Sequence, residues 1–252
     1  MKVLKIALAL AVLAALALAV FAWTMPADVG YRYGSKYLGP VVLSGVRGTV
    51  WNGQADGVSV FGQDFGGVTW QARKLPLLGG RFVADVRVKG TDVDLVGVLE
   101  RSTEGVAARE LRFSVPAERL APAIGGDLHL LGTISGVIDR ATLRDAMLHG
   151  VAGSARWSEA GVTGAADARF SDILAEFSSQ PDGSVAGRVH DDGNGGLAVD
   201  GGFELNVGEY RAHASLSARD DPRVAEALVH IGMPQADGST RIELQGPMLR
   251  PF

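Results

Sequence analysis

The chain contains no cysteine among its 252 residues. That absence excludes disulfide frameworks, thiolate metal sites, cysteine nucleophiles and lipid attachment through cysteine. Basic clusters are missing as well: Lys+Arg number 24 against 28 Asp+Glu, for a formal charge of −4, and no basic block offers itself to phosphates. Nucleic acid is therefore excluded as a partner. The five histidines, His129, His149, His190, His213 and His230, stand singly, with no HExxH or HxH spacing that would assemble a metal site. Also lacking are a GxSxG elbow, a P-loop and a close pair of carboxylates on a recognisable scaffold. Composition and motifs give an enzyme nothing specific to stand on.

Two short stretches imitate ligand motifs. Asp191-Asp192-Gly193-Asn194-Gly195 looks like a calcium loop, but no carboxylate occupies the closing position where bidentate coordination is needed. A tight turn is the better reading. Gly193 to Ala198, GNGGLA, formally fits the dinucleotide fingerprint, which requires a following helix to present N–H groups to pyrophosphate. LAVDGGFELNV follows instead, and it reads as strand.

What the chain does have begins at the amino terminus. Lys2 and Lys5 precede eighteen uninterrupted apolar residues, Ile6 to Trp23. At ~1.5 Å per residue these span roughly 27 Å, close to a hydrocarbon core of about 30 Å. Small residues at Ala17 and Ala19, or Val20 and Ala22, would suit cleavage as a signal peptide. Length, with aromatics at Trp23, Tyr31, Tyr33 and Tyr37, favours a retained signal anchor. Either way the lysines stay cytoplasmic and the remainder is exported. Without those two lysines the balance is 22 basic against 28 acidic residues, or −6. The expected organisation is a cytoplasmic tip and anchor over 1–25, a short helix or stalk over 26–40, and an exported β-rich domain over 41–252.

From Val41 the apolar period changes to two. Arg81 to Lys89, RFVADVRVK, sets Phe82, Ala84, Val86 and Val88 on one face; ARELRFSV does the same with Leu111, Phe113 and Val115. In GGFELNVGEYRAHASLS the inward set is Phe203, Leu205 and Val207, then Tyr210, Ala212, Ala214 and Leu216 after a break at Gly208. QPDGS, DDGNGG and QADGS supply turn chemistry for antiparallel hairpins. Helix is sparse. DDPRVAEALVHIGMP predicts one, with Asp221 as N-cap, Pro222 at the first position and Gly232 past the end; PAERLAPAIGG can hold a turn or two. The fold class expected is mainly β, an amino-terminal transmembrane helix followed by a curved antiparallel sheet with one or two short helices.

Gly48-Thr49 leads to Trp70, and Gly132-Thr133 leads to Trp157, through similar Gly/Val-rich segments. Two repeated β units, 41–125 and 126–252, would produce this pattern, and so would chance in such a composition. A strand tryptophan ordinarily packs on cross-strand neighbours, worth about 0.5–1.5 kcal/mol per aromatic pair beyond its area; the alternative is an apolar groove for lipid or an amphipathic peptide. Gly48, Thr49, Trp51, Gly53, Trp70 and Trp157 are the candidate structural or interaction residues.

Leu43-Ser44-Gly45-Val46-Arg47-Gly48-Thr49-Val50-Trp51-Asn52-Gly53, then Trp70, then Leu75-Pro76-Leu77-Leu78-Gly79-Gly80, resembles the signature of the type II secretion system protein N family. The resemblance implies a non-enzymatic, single-pass inner-membrane component with a periplasmic body that aids assembly or contacts the secretin. It carries no catalytic residue, cofactor, metal or small-molecule substrate, and its partners would be other type II secretion components and the inner membrane. The strand-turn units are also similar to those of AsmA-like periplasmic β-groove proteins, which implies lipid transport or outer-membrane assembly as the alternative.

Overall fold

A computed structural model describes residues 24–38, 41–60, 62–120, 128–144, 147–206 and 208–247. The expected membrane span, together with Gly39, Pro40, Pro122 and Val207, lies outside them. Among the described residues no helix is long and apolar enough to cross a membrane. The chain divides into two compact units, one up to Thr91 and one from Asp92. Among the described residues both are antiparallel β structures with one α-helix each.

The first unit opens with helix α1 (Ala27–Gly34), where Pro26 occupies the N-cap and Asp28 sits in the first turn, a favourable place for negative charge. Its Tyr31 hydroxyl accepts the Leu43 N–H at 2.9 Å. Among the described residues the strands that follow are β1 (Val41–Ser44), β2 (Arg47–Gly48), β3 (Asn52–Ala55), β4 (Gly57–Val60), β5 (Gln63–Asp64), β6 (Gly67–Arg73) and β7 (Phe82–Lys89). Strands β1, β4 and β5 pair as one small sheet, in that order. β2, β3, β6 and β7 pair as another. The chain passes from one to the other at Asp56, whose N–H bonds Ser44 O at 2.9 Å. Ala55, Val58 and Val68 are buried between the sheets, with Leu43, Trp70 and Val86 packed around them. Alternation along β1 and β3 thus delivers every second side chain to one apolar layer.

The second unit is a meander. Its strands are β8 (Asp94–Ser102), β9 (Gly105–Pro116), β10 (Leu128–Arg144), β11 (Met147–Gly164), β12 (Ala168–Arg169), β13 (Ile173–Ser179), β14 (Val185–Asp191), β15 (Leu197–Leu205), β16 (Glu209–Ala218), β17 (Met233–Pro234) and β18 (Thr240–Pro247). Each pairs with its sequence neighbour, except that β12 is a side branch on β11 and that β16 pairs β18, leaving β17 outermost. Among the described residues the ladders lose register at four points, and two of these bulges carry a non-glycine residue at positive φ. Glu110 (φ +50°) and Glu159 (φ +52°) take the left-handed conformation where β8–β9 and β10–β11 lose register. A Cβ at Gly132, across from the second bulge, would stand 2.6 Å from Glu159 O, which leaves room there for glycine alone.

Helix α2 (Pro222–Ile231) forms where the sequence predicts it, with Asp221 accepting the Arg223 N–H at 3.0 Å and Pro222 at the first position. Val224, Ala227 and Leu228, at i, i+3 and i+4, are buried. They meet Leu130, Val162, Leu197, Val199 and Leu216 in the main core cluster of this unit. The helix lies against β12, β16, β17 and β18, so it covers one end of the inner sheet face.

The three predicted turns are observed as turns. In the DDGNGG segment, Asp191 Oδ2 accepts from Arg219 Nη1 at 2.7 Å and from Gly193 N at 2.9 Å, while Oδ1 accepts from Val199 N at 2.8 Å. Burial pushes the Asp191 carboxyl up, but the Arg219 guanidinium and the two N–H donors outweigh it and hold the group at about 2. The carboxylate clips β14, β15 and β16 together.

Candidate functional site

Five of the six candidate residues converge in the first unit. Gly48 has φ +88°, and a β-carbon there would stand 2.6 Å from Asn52 O, so the turn needs glycine. Thr49 closes that turn: its N–H donates to Asn52 O at 2.9 Å and its Oγ1 accepts the Asn52 N–H at 3.0 Å. The turn is fixed to the segment before α1, since Val50 N donates to Met25 O at 3.0 Å and Thr49 bridges to Pro26. Gly53 is buried on β3 opposite Trp70 on β6, with the indole lying where a β-carbon would be. Trp70 Nε1 donates to Val50 O at 3.1 Å.

Trp51 does not continue a strand with Thr49. It sits in the turn, half-buried, where its carbonyl accepts the Ala72 N–H at 2.7 Å and Lys74 Nζ stands 5.6 Å from its ring centroid. Carried through from Val41, a period of two would set Trp51 on the face of Thr49; the glycine turn at Gly48 resets the alternation instead. Trp157 belongs to the second unit. There it pairs with Ile134 and Ile173, and its Nε1 donates to Leu131 O at 2.7 Å.

A surface feature lies next to the Trp51 turn. Residues Leu75–Gly79 form a 3-10 turn that ends at Gly80 with φ +71°. Leu75 and Leu78 are 81 % and 89 % exposed, and Leu77 is 38 % exposed. Three leucines on one turn form an apolar knuckle, and clusters of this kind mark contact sites more often than single exposed residues do. Arg73, Lys74 and Arg81 flank it; Arg73 bonds Asp85 through both arms at 3.0 and 2.6 Å, which holds the Asp85 carboxyl below its usual range. Sequence reasoning saw LPLLGG as a signature and missed its exposure. The available signal was a run of leucines between a proline and two glycines, too short to reach any core.

The second unit holds an apolar cavity of about 200 Å³ between α2 and the inner sheet face. Trp157, Phe170, Val189, Leu216, Ile231 and Leu244 are among its walls, and every lining residue is apolar. An empty space of that size costs on the order of 5 kcal/mol at ~24 cal/mol per Å³. No sequence signal announces a cavity, because its lining is drawn from seven strands, one helix and the loop at Phe170, each ordinary by itself.

Polar chemistry is thin by contrast. Among the described residues no three His, Asp or Glu side chains group in a way that would hold a metal. The aspartates with lowered pKa sit in ion pairs or turns: Asp92 with Arg119, Asp182 with Ser184, Asp237 with Ser239. These are structural arrangements rather than poised acids or bases.

Residues 39–243 match the family model described as type II secretion system (T2SS), protein N. No curated protein and no solved structure matches.

Proposed function

The chain belongs to the type II secretion system protein N family, and from that premise we propose a single-pass inner-membrane component whose periplasmic β body aids assembly of the secretion machine or contacts the secretin. The role is structural and calls for no catalytic residue. In its first unit α1 starts at Ala27, four positions after Trp23 closes the apolar run that the sequence offers as an anchor, and the same unit carries the exposed knuckle Leu75, Leu77 and Leu78. That knuckle is the observation that supports a protein contact in the assembly. Gly48, Thr49, Trp51, Gly53 and Trp70 hold it in place, because the Trp51 turn and the Lys74 step immediately before the knuckle are in contact.

The common tie of Trp70 and Trp157 to a carbonyl within two residues of a Gly-Thr step supports the repeat expected over 41–125 and 126–252, whose boundary differs from the division at Thr91 and Asp92. The copies would then share a fastening while only the first carries the knuckle.

Deleting the protein should reduce export of folded periplasmic enzymes. Because the chain has no native cysteine, Leu78→Cys supplies a single thiol for cross-linking in intact cells, and the captured species should be secretin or an inner-membrane secretion component. Unchanged export together with no captured secretion protein overturns the reading. A periplasm-active reporter fused at Phe252 should be active, and the full chain should sediment with membranes.

A further inference from the structure

We propose that the cavity beneath α2 is a binding site for one alkyl chain of a lipid. The inference stands on the second unit alone and does not depend on the secretion reading.

The chemistry of the walls selects the occupant. Trp157 contributes the one nitrogen-bearing side chain of the lining, and its Nε1 is already committed to Leu131 O at 2.7 Å. Water needs two to four polar partners to settle in a cavity, and this lining gives it none. A peptide is no better suited. An α-helix is roughly 10 Å across, so about 200 Å³ admits less than one turn. An extended segment would bring an N–H and a C=O at each residue, while the main chain of the surrounding strands is engaged in its own ladders. An alkyl chain brings no polar group at all.

The cavity also continues onto a surface of the same character. Leu244 lines the cavity and begins a cross-strand row on the inner face that runs from β18 back to Leu111 on β9. Phe203 and Phe177 stand in that row with ring centroids 6.1 Å apart. Their rings fold over Gly187 and Gly153, where a β-carbon would collide with them. Eight strands at about 4.8 Å spacing make this stripe roughly 34 Å long, longer than the cavity and apolar throughout. At the helix end, Ile231 lines the cavity while Val229 and Met233, close by in sequence, are 65 % and 56 % exposed. An apolar rim of this kind suits entry from a hydrocarbon phase.

The test reconstitutes the full chain in vesicles that carry either phosphatidylethanolamine with a diazirine in one acyl chain or free diazirine-palmitate. After irradiation, adducts are mapped by peptide mass spectrometry. Adducts are expected on the peptides bearing Trp157 to Phe170 and Leu216 to Leu244, in addition to those on the amino-terminal apolar segment. Labelling from the phospholipid alone identifies a bilayer chain as the ligand, and labelling from the acid alone identifies free fatty acid. Val189→Phe and, separately, Ile242→Phe fill the cavity and should lower labelling of these peptides at least tenfold while the amino-terminal segment is labelled as before. A native proteolysis pattern shows that each variant is folded, and either variant suffices. Labelling confined to the amino-terminal segment, or unchanged in a folded cavity-filling variant, overturns the proposal.

Discussion

Trp70 lies over Gly53 and bonds Val50 through its indole nitrogen, so one side chain on β6 secures both the strand beside it and the turn that precedes that strand. Replacing Trp70 by Phe keeps most of the packing and removes the donor. The half-buried Val50 carbonyl then loses its indole partner, at about 1 kcal/mol. Trp70→Ala also opens a void and should cost roughly 3 kcal/mol or more. Urea denaturation midpoints of the two variants should therefore fall in that order, and equal shifts would contradict the role of the indole nitrogen.

Gly187 is the clearest place to test the ring-on-glycine arrangement, because the nearest atoms to an added β-carbon all belong to the Phe203 ring. Gly187→Ala should destabilise the second unit by about 1–3 kcal/mol, as overpacking does. In a Phe203→Leu background the same substitution should cost much less. The double-mutant cycle is thus expected to be strongly non-additive, and an additive result would mean that Phe203 is not what the methyl group meets.

Asp191 predicts a particular pH dependence. Its folded pKa, about 2, lies below the ordinary 3.8, so its contribution is fully present above the unfolded value and is lost as pH falls through roughly 4 to 2. Asp191→Asn should therefore destabilise at pH 7 by about 2 kcal/mol. The gap between variant and parent should shrink steadily below pH 4. A gap that persists at pH 2 would assign the effect to shape rather than charge.

The knuckle leucines predict a separation of stability from assembly. Leu75→Ser with Leu78→Ser alters residues that are 81 % and 89 % exposed, so thermal stability should change by no more than about 0.5 kcal/mol. Cross-linking to secretion partners and export of folded enzymes should both decline. Loss of the fold would instead assign these leucines to the core, against their exposure.

Much of this architecture is legible from local chemistry. Helix α2 is announced by Asp221, Pro222 and Gly232, whose effects are confined to one turn of backbone. The strands containing Leu111, Phe113 and Val115, and Tyr210 to Leu216, follow from alternation because one face of each meets apolar neighbours. What alternation misses is whatever resets it. Glu110 and Glu159 adopt positive φ at bulges although glutamate does not favour that conformation, and on the facing strands Gly97 lies against Leu111, next to Glu110, and Gly132 against the Glu159 carbonyl. Trp51 escaped the reading in the same way, displaced from a strand by the turn at Gly48. The cavity is further out of reach, since Phe170, Ile231 and Leu244 are brought together only by the completed meander.

The meander has a consequence for how the protein is made. From β8 to β16 each partner strand is supplied by the next segment of chain, apart from the side branch β12, so pairing never has to wait for a distant segment. Such low contact order favours fast, sequential zippering. A polypeptide that emerges amino terminus first can therefore close each hairpin as it appears. Helix α2 and β18, which follow β16 in the chain, then cap a sheet that is already built.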